Sequence, residues 1–121
     1  MASLMVFHHP TQAQPSGTVY EYNQAILQGL DKLTARVHEI IVPVGTVARF
    51  GNLEIFVRSC QETPPEDPPE SAAFIEIIEV RPNESPDSIF QGWMFASSPA
   101  LSALEHHVYD VWVVDCRNAS Q

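Results

Sequence analysis

GWMFASSPALSALEHHVYDVWVVDC, residues Gly92–Cys116, holds both tryptophans and one of the two cysteines of the chain, and its reading decides the fold. From Val108 to Cys116, the residues Val108, Tyr109, Val111, Trp112, Val113 and Val114 are β-branched or aromatic, interrupted by Asp110 and Asp115. Such side chains pack well on a pleated surface, so the run predicts a strand largely buried on both faces. Upstream, Ile89, Phe90, Trp93, Met94 and Phe95 form a second apolar strand, with Gly92 where a bulge or close backbone approach is expected. Between them Ser98 followed by Pro99 reads as a helix start, because serine caps free amides and proline tolerates the first helical position. A short helix is expected over Ala100 to Glu105, ended by His106 and His107. The unit is strand, helical corner, strand.

Outward from this unit the same grammar repeats. Ala72 to Val80 alternates well enough for a strand, with Glu76 and Glu79 three apart and therefore on opposite faces, where they read as solvating carboxylates. Leu53 to Cys60 places Leu53, Ile55 and Val57 on one face and Glu54, Phe56 and Arg58 on the other. Gly51-Asn52 joins it to Thr46–Phe50 as a tight hairpin, since these residues tolerate the positive φ such turns need. Ala25 to Leu30 and Thr34 to Val42 are further strands. In the second, Val37, Ile40, Ile41 and Val42 are apolar, and a bulge near Glu39 would repair the broken alternation. Gln61 to Ser71 carries Pro64, Pro65, Pro68 and Pro69 among Glu62, Glu66, Asp67 and Glu70, so it predicts an extended loop outside any sheet interior.

Short strands at close spacing with one helical corner define the fold class as all-β, a compact antiparallel β-sandwich or small barrel. The chain of 121 residues suits one domain, expected over residues 21–117, with a weakly ordered segment over residues 1–20 and a flexible tail over residues 118–121. Residues 1–17 lack the positive start of a secretory signal, the first lysine or arginine being Lys32. A net charge of −9 opposes binding to nucleic acid or to anionic membranes, and no apolar run is long enough for a membrane span.

Candidate sites are few. His106 and His107, with Asp110 nearby, have residue types suited to a metal centre or an enzyme. Adjacent strand residues point to opposite faces, so the pair seldom supplies two ligands to one ion, and the expected role is a corner histidine hydrogen-bonded to backbone. Ser97 or Ser98 with His106 and Asp110 has the composition of a hydrolase triad without the GxSxG turn that presents a nucleophile. Trp93 and Trp112, on strands expected to be neighbours, belong in the core or its rim. Alternatively, with Met94 and Tyr109 they line a shallow aromatic groove for a small ligand or a peptide. Cys60 and Cys116 each end a strand. They are either two buried thiols in neighbouring strands or one disulfide.

The words LDKLTARVHEIIVPVG, FGNLEIFVRSC, TPPEDPPESAAF, GWMFASSPALSALEH and VYDVWVVDC closely resemble a bacterial family of small proteins, DUF2155. The resemblance covers roughly residues 27–116 and implies an exported, periplasmic, one-domain protein; it implies no activity. Export together with the even cysteine count favours the Cys60–Cys116 disulfide, worth about 4 kcal/mol in the chain-entropy treatment. The expectation is therefore a non-catalytic protein without cofactor that binds another protein, as an accessory piece of an envelope assembly. Homodimerisation by sheet extension is a further mode.

Overall fold

A computed structural model describes residues 19–119. The strands are β1 (Tyr20–Glu21), β2 (Gln24–Asp31), β3 (Arg36–Pro43), β4 (Val47–Phe50), β5 (Leu53–Glu62), β6 (Ser71–Glu79), β7 (Asp87–Phe95), β8 (Leu104–Glu105) and β9 (Tyr109–Arg117), with a single helical turn α1 (Pro99–Ser102). They build two antiparallel sheets. Sheet one runs β1-β5-β6-β7 with β4 also on β5, and sheet two runs β3-β2-β9-β8. The fold is a sandwich rather than a closed barrel.

Inward alternation on both sheets makes the core. Leu27 and Val42, Leu53 and Ile55, Ile75 and Ile77, Met94, Val111 and Val113 are all fully or almost fully buried. Each such aliphatic side chain contributes about 1.5–3 kcal/mol by leaving water. At one end of the sandwich Phe50 packs onto the bare backbone of Gly29, where an added Cβ would lie 2.7 Å from Phe50 Cζ and 2.9 Å from Ile40 Cδ1.

A disulfide joins Cys60 on β5 to Cys116 on β9 with Cα atoms 5.6 Å apart, so it staples sheet one to sheet two. Each cysteine stands three residues beyond an inward valine, Val57 and Val113, and strict alternation would turn both thiols outward. Two bulges reverse this. Arg58 is an extra residue in β5 against β6, and Val114 is an extra residue in β9 against β2. Each resets the phase of its strand, and the two sulfurs meet inside.

Several local expectations are corrected. No bulge occurs at Glu39; β3 pairs with β2 in unbroken register from Gln24↔Pro43 to Asp31↔Arg36. The alternation is real instead: Ile40 and Val42 face in, while Val37 and Ile41 face out and are 56% and 42% exposed. In β7 the bulge falls at Ile89, and Gly92 sits in register opposite Ile75. The helix is one turn shifted toward Pro99, Leu104 and Glu105 having left it to pair with Val111 and Asp110. Ser98 makes no side-chain cap; Ser102 Oγ holds the turn, accepting from the Phe95 amide at 3.0 Å and bonding the Ser98 carbonyl at 3.1 Å.

At the chain ends, the weakly ordered segment expected up to residue 20 lies outside the described residues through position 18, while Tyr20 pairs with Glu62. Of the tail expected over residues 118–121, Asn118 and Ala119 exchange hydrogen bonds with Asn23. Residues 120 and 121 lie outside the described residues.

Candidate functional site

The histidine corner lies between β8 and β9, in the tight connection that follows from Leu104 pairing with Val111. Its backbone closes with the His106 amide donating to the Tyr109 carbonyl at 2.8 Å. His106 Nδ1 accepts the Val108 N–H at 3.0 Å, which leaves Nε2 as the donating nitrogen of the ring. Nε2 then donates to Glu79 Oε2 at 2.6 Å. Glu79 comes from the end of β6, so this bond ties sheet one to the corner of sheet two. The His106 and Glu79 side chains are only 9% and 4% exposed. Sequence alternation does put Glu76 and Glu79 on opposite faces, but the solvating role holds only for Glu76, which pairs with Arg58 at 3.0 Å on the outer surface.

Burial and three neighbouring groups set the charge state of Glu79. Burial pushes its carboxyl up, but the His106 hydrogen bond, the Arg81 guanidinium at 2.6 Å, and Asn52 Nδ2 at 3.5 Å outweigh burial and hold it below the ordinary carboxylate range. His106 therefore meets an ionised partner, and both of its ring nitrogens are occupied. Tyr109 stacks near it with centroids 5.7 Å apart, and His107 lies at 4.1 Å on the ring. Asp110 points elsewhere, to Lys32 Nζ at 2.9 Å, and the same ammonium reaches the His106 carbonyl at 2.7 Å. Among the described residues, no three His, Cys, Asp or Glu side chains converge as a metal-ion site. Ser97 bonds Glu70 through both its amide and its hydroxyl, away from His106. The corner is a closed network whose chemistry is to latch the two sheets.

The four residues of the expected aromatic groove do not share a surface. Met94 is wholly in the core. Trp93 lies on the outer face of sheet one, edge-to-face with Phe74 at 5.5 Å. Tyr109 turns inward against Phe50 at 5.0 Å, its ring lying over Gly51. Trp112 lies on the outer face of sheet two, its indole N–H donating to Gln28 Oε1 at 3.1 Å. The two tryptophan strands are in different sheets, so the neighbouring pair read from sequence is not formed.

Strand alternation places another group together that sequence reading missed. On the outer face of sheet two, Val37 and Ile41 of β3, Leu30 and Ile26 of β2, and Trp112 of β9 share one strand phase with Gln28, Glu39 and Asp110, while Val114 projects at the β9 bulge beside Ser71 and Ala96. Val37, Ile41 and Val114 are 56%, 42% and 40% exposed, whereas Ile26, shielded by its neighbours, is 6% exposed. The missed signal is the alternation Val37, Glu39, Ile41 itself, which the expected bulge near Glu39 would have interrupted. On the outer face of sheet one, a shallow depression of about 260 Å³ lies between Val47, Phe56 and Ile78, walled by the Arg58–Glu76 pair.

Fold and corner together define a disulfide-stapled, two-sheet β domain with a latched histidine corner and one apolar outer sheet face. The chain belongs to the family described as "Uncharacterized protein conserved in bacteria (DUF2155)", which matches residues 25–116. It is 33% identical over 95 residues to "Uncharacterized protein RP359" of Rickettsia prowazekii (strain Madrid E), a match covering 78% of this chain and 61% of that protein. The chain thus spans less than two thirds of that relative's length. No solved structure matches it. Among the described residues, no helix is long and apolar enough to cross a membrane.

Proposed function

We propose that this is a non-catalytic, exported β domain that acts by binding another protein, as an accessory piece of a bacterial envelope assembly. The observation that carries the reading is the apolar outer face of sheet two. Val37 and Ile41 stay exposed on a regular strand surface where an isolated sandwich would place polar residues, and clustered exposed apolar side chains mark interaction sites. Two other features support it. The inter-sheet disulfide suits an oxidising compartment such as the periplasm. The charge of −9 leaves proteins, rather than nucleic acid or anionic lipid, as compatible partners.

A photo-crosslinking amino acid at position 37, in the native host, tests the proposal, with the same group at position 84 on the β6–β7 turn as control. The expected result is a discrete light-dependent adduct to one envelope protein from position 37, absent from position 84 and lost on Ile41→Glu. Identical adduct patterns from the two positions, or none from either, refute it.

A further inference from the structure

Among the described strands, most sheet edges are protected in ways that prevent further pairing. β1, β4 and β8 are only two to four residues long, and β7 is interrupted by its Ile89 bulge. The flank of β9 beyond β8 lies against β6 and β7. β3 differs. It runs for eight residues in unbroken register with β2 on one side, with proline only at its last position, Pro43. No strand is hydrogen-bonded to its other side, where β4 packs nearby and a groove lined by His38, Glu39, Ile41, Ala48 and Arg49 runs between the two strands. Every second residue of β3 therefore turns its N–H and C=O away from the sheet, which is the template on which an added strand forms.

The side chains on this edge specify what would be added. Val37, Glu39 and Ile41 stand in a row on the outer face. Glu39 is exposed and takes part in no ion pair or side-chain hydrogen bond among the described residues. A second copy fits poorly. Antiparallel self-pairing that sets Val37 against Ile41 of the other copy necessarily sets Glu39 against Glu39, and directly opposed like charges destabilise a sheet. Each copy also carries a charge of −9. A strand with an apolar residue, a lysine or arginine two positions on, and another apolar residue two further on matches all three side chains at once. That pattern reads the same in both directions, so it holds for parallel and antiparallel addition.

We infer that β3 is a docking edge for an extended strand of another protein with the pattern apolar-x-basic-x-apolar, its basic residue facing Glu39. The inference rests on the protein-binding reading above and names the partner's chemistry. Hydrogen bonds from the β3 backbone supply attachment, and the row Val37, Glu39, Ile41 supplies selection.

Synthetic peptides test it on the full oxidised chain. The probes are Thr-Ile-Thr-Lys-Thr-Val-Thr and its counterpart with glutamate in place of lysine. The lysine peptide is expected to bind about tenfold more tightly, from an attractive cross-strand pair replacing a repulsive one. It should slow hydrogen exchange at β3 amides alone. Glu39→Lys, an exposed change that leaves the core untouched, should invert the order of the two peptides. Equal binding of both peptides, protection away from β3, no binding at any soluble concentration, or a concentration-dependent dimer protected at β3 would each overturn the inference. If the peptides fail while position 37 still crosslinks its envelope protein, strand addition falls and the protein-binding reading stands. If both fail, both fall.

Discussion

Substituting alanine at Gly51 and, separately, at Gly45 isolates one contact on which the histidine corner depends. Both glycines have positive φ, +59° and +87°. An L residue forced into that region costs about 1–2 kcal/mol at either position. The difference lies in what surrounds them. A Cβ at Gly45 would meet nothing within 4 Å, whereas a Cβ at Gly51 would overlap the Tyr109 hydroxyl and ring, with even Cε2 at only 3.0 Å. Ordinary contact needs at least 3.4 Å, so the ring must retreat, yet it is held between Phe50 at 5.0 Å and His106 at 5.7 Å. Forcing such an overlap costs a further 1–3 kcal/mol, roughly. Gly51→Ala should therefore lose about 2–5 kcal/mol and Gly45→Ala about 1–2. Urea titration of the oxidised proteins, followed by tryptophan fluorescence, measures both. The gap should also appear as a lower Tm, by about 4–8 °C for each kcal/mol in a domain of this size. If the two variants lose equal stability within about 0.5 kcal/mol, Tyr109 does not seat on Gly51 and the description of the corner is wrong.

The register of β3 makes an equally sharp prediction for adjacent isoleucines. Ile40→Ala, at 8% exposure, should cost about 2–5 kcal/mol, while Ile41→Ala, at 42%, should stay within about 1; similar losses in urea would mean that the strand is shifted by one residue. Acid stability tests the latch. Because the Glu79 carboxyl is held low, the folded state binds fewer protons there than the unfolded state, and the stabilisation present at neutral pH is lost as pH falls below the ordinary carboxylate range. Glu79→Gln should flatten this acid limb in a series of melts, and an unchanged slope would count against an ionised Glu79. Glu62 has the opposite sign. Burial, then its hydrogen bond and charge contact with Asp115, push its carboxyl up against the opposing bond from Ser71, so it costs stability as pH rises through its titration. Glu62→Gln should raise Tm at neutral pH by the equivalent of under about 1 kcal/mol, and a fall in Tm would contradict that sign.

Much of the fold was readable because it rests on local physics. β5 shows the clean alternation of Leu53, Ile55 and Val57 against Glu54, Phe56 and Arg58, and the Gly51-Asn52 turn is set by the backbone freedom of two residues. Those signals are complete within a few positions, so the all-β class, the hairpin and the strand positions follow from them. The family words predicted a Cys60–Cys116 bond, and the structure contains it. What was misread depends on partners distant in the chain. Glu79 looked like a surface carboxylate because nothing local shows that His106, twenty-seven positions away, closes over it. The run Val37, Ile40, Ile41 and Val42 called for a bulge near Glu39 because apolar character says nothing about which face of a sheet will be covered.

The sequence by itself determined the alternation, the turns, the negative charge and the pair of cysteines, since each is a property of neighbouring residues or of the whole composition. Only the tertiary structure decided the rest. It placed bulges at Arg58 and Val114 that rotate Cys60 and Cys116 inward, put Trp93 and Trp112 on different sheets, and left Val37 and Ile41 exposed on one outer face and one long edge without a hydrogen-bonded partner. The physical reason is that strand phase, sheet order and exposure are set by pairing between segments far apart in sequence, where a one-residue shift changes which side chains meet and which meet water.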